Sequence, residues 1–180
     1  LKVKIKPRVL KGTIEIPPSK SYSHRAVIGA SLATSEKKSK ISNLKFSMDI
    51  KATMEIMENW GANIIKGENT LKKIRNSGKI IPKDKYTKCS ESGSTIRFLI
   101  PVGLTSKNEL VFDGKGKLVD RPLDSYYKIF EKQGLFYETT DGKLPLTVNG
   151  ELKPGIYEID GNISSQFITG LLYALPLLNG

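Results

Sequence analysis

The sequence holds one cysteine, one histidine and one tryptophan in 180 residues, and no apolar run reaches 18 residues. A single thiol excludes an internal disulfide framework, and one histidine leaves no Cys/His pair at metal-binding spacing. The lack of a long apolar run excludes an ordinary membrane-crossing helix. The start, Leu1-Lys2-Val3-Lys4-Ile5-Lys6, alternates instead of forming a secretory signal, so a soluble cytoplasmic protein is expected. Acidic residues are also scarce, 18 against 29 Lys and Arg, for a net charge of +11, which favours anionic partners. Many lysines (Lys37-Lys38, Lys72-Lys73, Lys83-Asp84-Lys85) fall in predicted loops or on solvent-facing strands, so the excess reads as a solvated surface. No RNA-binding aromatic signature or long basic helix accompanies it, and neither a nucleic-acid nor a membrane partner is expected. The 38% hydrophobic content is adequate for a core, though slightly lean.

What the chain does have is repetition. Three Ser-rich helix starts recur, Ser19-Lys20-Ser21-Tyr22-Ser23-His24-Arg25, Ser92-Gly93-Ser94-Thr95-Ile96-Arg97 and Ser164-Ser165-Gln166. Arg25 to Arg97 and Ser92 to Ser164 are both steps of 72 residues. Ile50, Met54, Met57 and Gly61 map onto Leu123, Tyr127, Phe130 and Gly134 at an offset of 73. That i, i+4, i+7 pattern closed by Gly predicts an amphipathic helix with a left-handed cap. Leu71-Lys72-Lys73-Ile74-Arg75 has its counterpart in Leu144-Pro145-Leu146-Thr147-Val148. Each unit therefore reads buried helix, strand, amphipathic helix, strand, strand.

The units are expected at about 18–82, 83–152 and 153–180, the third opening near Tyr157-Glu158-Ile159 and stopping after its first helix. A repeat unit cut so short cannot bury its apolar face alone, so the chain is expected to be a fragment of a longer protein. The exposed apolar surface gives such a fragment a reason to self-associate. Residues 1–16 predict two short strands outside the repeat, ended by Pro17-Pro18, which leaves Ser19 to cap the next helix. Helices from Ser21, Ser94 and Ser165 carry apolar residues on all sides and are expected to be internal, with sheets outside them and their starts facing one end.

Helix starts present unpaired N–H groups and partial positive charge, and so bind anions. The first adds Lys20 and Arg25, a pair able to clamp one phosphate or carboxylate, although Ser19, Ser92 and Ser164 also serve as ordinary N-caps. Arg25 and Arg97 have no acid at i±4, so each needs a countercharge from elsewhere. Arg121, just before Pro122, is expected to point into a site between units, the alternative being a salt bridge to Asp120 or Asp124. Gly114-Lys115-Gly116-Lys117 lacks P-loop spacing. His24, beside Arg25, reads as a packing or capping residue, and Cys89 as an inert thiol.

Pro18-Ser19-Lys20-Ser21-Tyr22-Ser23-His24-Arg25-Ala26 resembles the P-S-K-S-x-S-x-R-A signature of the 5-enolpyruvylshikimate-3-phosphate synthase family. The likeness continues in order through Ser47-Met48-Asp49, Ser92 to Arg97, Asp120-Arg121-Pro122 and Ser164-Ser165-Gln166. The resemblance implies an inside-out α/β domain of repeated βαβαββ units with buried parallel helices. It implies enolpyruvyl transfer from phosphoenolpyruvate to the 5-hydroxyl of shikimate 3-phosphate, with release of phosphate and no metal or organic cofactor. Lys20, Ser21, Arg25, Ser164, Ser165 and Gln166 would hold shikimate 3-phosphate, and Lys20, Gly93 and Arg121 would contact phosphoenolpyruvate. Lys20 and Arg121 would be the catalytic cations. Residues 1–16 would belong with an absent C-terminal domain that supplies the main acid–base residues, leaving this piece inactive alone; the full-length protein would be a monomer. Glu91-Ser92-Gly93-Ser94 resembles a variant group described as less sensitive to glyphosate.

Two alternatives share features of the fold. UDP-N-acetylglucosamine enolpyruvyl transferases carry Lys-Asn at the first start and usually a Cys before the Arg, where this chain has Lys20-Ser21 and no Cys in 113–122. A nucleic-acid-end binding or processing protein would match the basic charge, and its binding would weaken steeply with salt.

Overall fold

The computed structural model describes residues 2–4, 6, 7, 9, 11–34, 38–75 and 78–179, and of Lys72, Lys73 and Arg75 the backbone alone. Readings that rest on Ile5, Lys37 or the Lys72 and Lys73 side chains lie outside the described residues. The first unit runs α1 (Lys20–Leu32), β1 (Ser39–Ile41), α2 (Met48–Asn59), β2 (Asn63–Lys66) and β3 (Leu71–Arg75). The second runs β4 (Tyr86–Lys88), α3 (Gly93–Gly103), β5 (Leu110–Asp113), α4 (Asp124–Gln133), β6 (Phe136–Thr140) and β7 (Lys143–Asn149). Helix α5 (Ser165–Ala174) follows, with a short turn of 3₁₀ helix behind it.

The predicted order of helices and strands is therefore present in the first two units. Their sheets match as well: β1-β3-β2 in one, β4-β5-β7-β6 in the other, with β4 alone parallel to its neighbour. Four serines cap the helices that the sequence singled out. Ser19, Ser47, Ser92 and Ser164 accept from the backbone N–H of Tyr22, Ile50, Thr95 and Gln166, satisfying donors that a helix start leaves open. Gly134 ends α4 at φ 66, as the pattern predicts, and Gly61 follows α2 at φ 103.

Three expectations need correction. No strand forms at residues 13–16 or 157–159, because neither segment meets a strand to pair with; Ile14 and Ile16 are 83% and 77% exposed. The internal helices are not alike. Helix α3 is buried nearly all round, from Gly93 to Gly103, whereas α1 leaves Tyr22 and Ala26 in solvent and α5 leaves Leu172. Periodicity reports what a helix is able to bury, while neighbours decide what it does bury. Finally, the N-caps Ser19 and Ser92 are 73 residues apart, so Arg25 is the sixth helical residue of α1 and Arg97 the fifth of α3. The two arginines are not equivalent positions.

One core runs through the described residues, with Trp60, Phe98, Phe112, Phe130 and Phe167 all almost fully buried. Helices α3 and α5 pack very closely at Gly170, where a Cβ would lie 2.4 Å from both the Arg97 carbonyl oxygen and the Tyr126 hydroxyl. A larger residue there would drive the two helix starts apart.

Candidate functional site

The starts of α1, α2, α3 and α5 are joined by side-chain contacts at one end of the molecule. Lys20 Nζ lies 2.6 Å from an Asp49 carboxylate oxygen at the head of α2. Arg25 turns back onto the Ser21 hydroxyl and carbonyl, reaches the Thr169 hydroxyl on α5 at 3.1 Å, and lies over the Phe98 ring at 4.9 Å. Thr169 in turn donates to the Ser165 carbonyl at 3.0 Å, and Tyr173 donates to the Arg25 carbonyl at 3.0 Å. These contacts tie α1 to the first residues of α5.

Helix α3 meets α5 through Arg97 and Gln166. The guanidinium donates to Gln166 Oε1 at 3.2 Å and to the Pro122 carbonyl at 3.4 Å, and its plane covers Phe167 at 4.7 Å. Gln166 Nε2 donates to the Ser94 hydroxyl at 2.7 Å. Arg121 lies against Gly93: a Cβ on that glycine would be 2.5 Å from its Nη1. Gly93 thus stands where α3 begins because any side chain would displace the Arg121 guanidinium. Among the described residues Arg121 forms no ion pair with Asp120 or Asp124, and Asp120 pairs with Lys143 at 2.7 Å.

The electrostatics are unbalanced. No ion pair among the described residues involves Arg25, Arg97 or Arg121. Burial and the neighbouring Arg121 charge both lower the Arg97 pKa, and Arg97 Nε is buried without a hydrogen-bond partner among the described residues. Buried cations are costly unless compensated, and here the compensation comes from hydroxyls, carbonyls and aromatic faces. Arg97 and Arg121 lie close enough for their charges to repel, a cost that a nearby anion would relieve.

Every predicted site residue has a definite place. Lys20, Ser21 and Arg25 are on the first turns of α1; Gly93 opens α3; Ser164 caps α5, with Ser165 and Gln166 following; Arg121 approaches from the loop before α4. Lys20 and Arg25 take separate partners instead of converging on one point. Asp49 and Thr169 join the cluster without having been singled out, and so does Arg97, read from the sequence as a cation in need of a countercharge and not assigned to a substrate. The signal for Thr169 was absent, while Asp49 and Arg97 lay inside the quoted motifs. His24 is fully buried, its pKa lowered to about 4 by burial above all, with Lys20 and Arg25 adding to it against Asp49. Burial also pushes the Cys89 thiol far up, leaving it protonated. Residues 116–118 form a 3₁₀ turn, with the Glu91 carboxylate packed on Gly116. No His/Cys/Asp/Glu group able to hold a metal occurs among the described residues, and none of their helices is long and apolar enough to cross a membrane.

A family model for EPSP synthase (3-phosphoshikimate 1-carboxyvinyltransferase) matches residues 5–180. The 3-phosphoshikimate 1-carboxyvinyltransferase of Clostridium novyi (strain NT) is 53% identical, covering 99% of this chain and 42% of the relative's own length. That of Clostridium kluyveri is 51% identical, over 99% of this chain and 41% of its own length. A solved EPSP synthase from Acinetobacter baumannii superimposes with a TM-score of 0.73 at 26% identity, covering 91% of this chain and 37% of that one. The chain therefore spans about two fifths of the length of the curated relatives that it matches.

Proposed function

The chain belongs to the EPSP synthase family, and from that premise we propose that its helix starts form part of a site for shikimate 3-phosphate and phosphoenolpyruvate. The observation that carries the reading is the gathering of Lys20, Arg25, Arg97 and Arg121 at one end, the three arginines without a carboxylate partner among the described residues. Both substrates are phosphorylated anions. Lys20, Ser21, Arg25, Ser164, Ser165 and Gln166 hold shikimate 3-phosphate in this reading, and Lys20, Gly93 and Arg121 hold phosphoenolpyruvate.

The 5-hydroxyl oxygen adds to C2 of phosphoenolpyruvate while the hydroxyl proton leaves and C3 gains one, giving a tetrahedral adduct. Loss of phosphate from C2, with a proton lost from C3, restores the enol ether. Lys20 and Arg121 act by stabilising negative charge on the transferring group, and cations in a preorganised site are effective at this. The acid–base groups belong, in this proposal, to the length that the relatives carry beyond the matched region. Residues 1–16 belong with that second domain, and residues 18–180 make most of the first. The protein acts as a monomer in the cytoplasm on this view.

Calorimetric titration of this chain with shikimate 3-phosphate tests the binding half of the proposal. Weak binding is expected, lost on Arg25→Ala; absence of heat, or heat unchanged by that substitution, would refute it. A chimera in which this chain replaces the matching 42% of the Clostridium novyi relative tests the activity. It should consume shikimate 3-phosphate and phosphoenolpyruvate and release phosphate, while the chain alone should not.

A further inference from the structure

Four buried polar side chains outside the assigned binding roles form one continuous chain across three helix starts. His24 Nδ1 lies 2.8 Å from the Thr53 hydroxyl, that hydroxyl 2.8 Å from the Thr95 hydroxyl, and the latter 2.7 Å from the Ser92 hydroxyl. Their exposures are 0%, 0%, 0% and 1%. The residues come from α1, α2, α3 and the α3 cap, so each link crosses from one element to the next or closes on the cap.

Each hydroxyl has one proton to give and can accept two, so Thr53 and Thr95 each donate to one neighbour, a hydroxyl or the Asp49 carbonyl, and accept from the others. In either neutral tautomer His24 Nε2 is left buried without a partner among the described residues. A network with such an orphan is a poor device for stability, because apolar side chains of the same shape would fill the space without that cost. What a buried hydrogen-bonded chain does well is fix geometry.

Its Ser92 end and its middle lie next to the residues that hold the two cations of the proposed donor site. Ser92 immediately precedes Gly93, on which Arg121 rests. Thr53 and Thr95 both reach the carbonyl oxygen of Asp49, at 3.3 and 3.4 Å, and the carboxylate of Asp49 holds Lys20. A shift of α2 against α3 would therefore change the distance between Lys20 and Arg121 directly.

We propose that His24, Thr53, Thr95 and Ser92 are positioning residues that set the spacing of Lys20 from Arg121, and through it the affinity for phosphoenolpyruvate. This rests on the reading that those two cations receive that substrate. Thr53 is the central link, and Thr53→Val removes its hydroxyl at nearly constant volume, while Thr53→Ser keeps the hydroxyl.

The test uses the Clostridium novyi chimera for kinetics and this chain for amide NMR. Thr53→Val should raise the KM for phosphoenolpyruvate about tenfold, and by more than the KM for shikimate 3-phosphate, which Lys20 holds together with five other groups, and Thr53→Ser should restore it. An unchanged KM, or a uniform loss accompanied by a lower Tm, would overturn the proposal. In the isolated chain, Thr53→Val should move the amide resonances of Lys20, Gly93 and Thr95 while leaving those of β6 and β7 in place; shifts confined to the neighbours of Thr53 on α2 would overturn it as well. An inactive wild-type chimera with these NMR shifts present would sink the substrate assignment and the affinity claim built on it, while leaving the geometric coupling established. Should Thr53→Val fail to fold, Thr95→Val deletes the next link with the same expectations.

Discussion

The first and second units share a chain plan offset by 73 residues, yet they solve the burial of their first helix differently. Under that offset Ser19 falls on Ser92, Lys20 on Gly93, His24 on Arg97, Arg25 on Phe98 and Thr53 on Tyr126. The cap is kept, as is the serine two residues on (Ser21 and Ser94), while the rest of the first turn and a half is exchanged. In unit one a small hydroxyl from the amphipathic helix meets a histidine ring; in unit two the Tyr126 hydroxyl reaches across to the Arg97 carbonyl. Arg25 even lies on the ring of its own counterpart, Phe98. The backbone plan is thus a scaffold for burial, and the residues at the helix heads are free to specialise.

The comparison breaks first at the core. Met57 and Phe130 occupy matching places and are 0% and 1% exposed. Phe130→Ala should cost about 3–5 kcal/mol and Met57→Ala about 2–5 kcal/mol by urea unfolding. A loss under about 1 kcal/mol at either position would show that the units are not packed alike.

His24 differs from Arg97 in being able to lose its charge. Its folded pKa of about 4 lies below the unfolded value near 6.5, so the unfolded chain takes up a proton that the folded chain refuses. Stability should be full above pH 6.5 and fall by about 3 kcal/mol as the pH drops to about 4. His24→Asn should flatten that part of the stability profile, measured by urea unfolding at fixed pH steps.

Lys20 and Gly93 open equivalent helices, but only unit one supplies the cation there, while Arg121 approaches from the loop of unit two. In the chimera, Lys20→Ala and Arg121→Ala should each lower the turnover rate by roughly a hundredfold or more. Near-normal rates in both would remove the catalytic meaning of the exchange.

The smallest expected difference lies at the caps. Ser92→Ala should cost more than Ser19→Ala, both within about 0.5–2 kcal/mol, because Ser92 is buried and also receives the Thr95 hydroxyl. Equal losses in thermal unfolding would mean that the extra bond contributes little.

Much of this was legible in the residues. The i, i+4, i+7 pattern closed by glycine located α2 and α4, and serine followed by an apolar run located α1, α3 and α5. Local chemistry sets those features. No strand formed at residues 13–16 or 157–159, since a strand needs a partner and alternation alone cannot supply one. Nor was the Lys20 pairing with Asp49, or the link from His24 through Thr53 to Thr95, readable beforehand. Those contacts span 29 to 42 residues and depend on how helices cross. A hint was present in Thr53, a hydroxyl on the same stripe as Ile50, Met54 and Met57, where a polar group has to find company.

Sheet β1-β3-β2 ends in β1, a strand of only three residues, where the matching sheet continues one strand further into β4. Among the described residues no strand pairs with the other flank of β1, so that flank presents ladder groups to an extended backbone. Its shortness rations the offer to a rung or two, and Lys38 and Lys40 greet the newcomer with positive charge. An intruder from another copy, equally basic, would gain too little to stay, whereas a tethered strand presented at high local concentration would lock in. Length and charge together guard that border against runaway stacking.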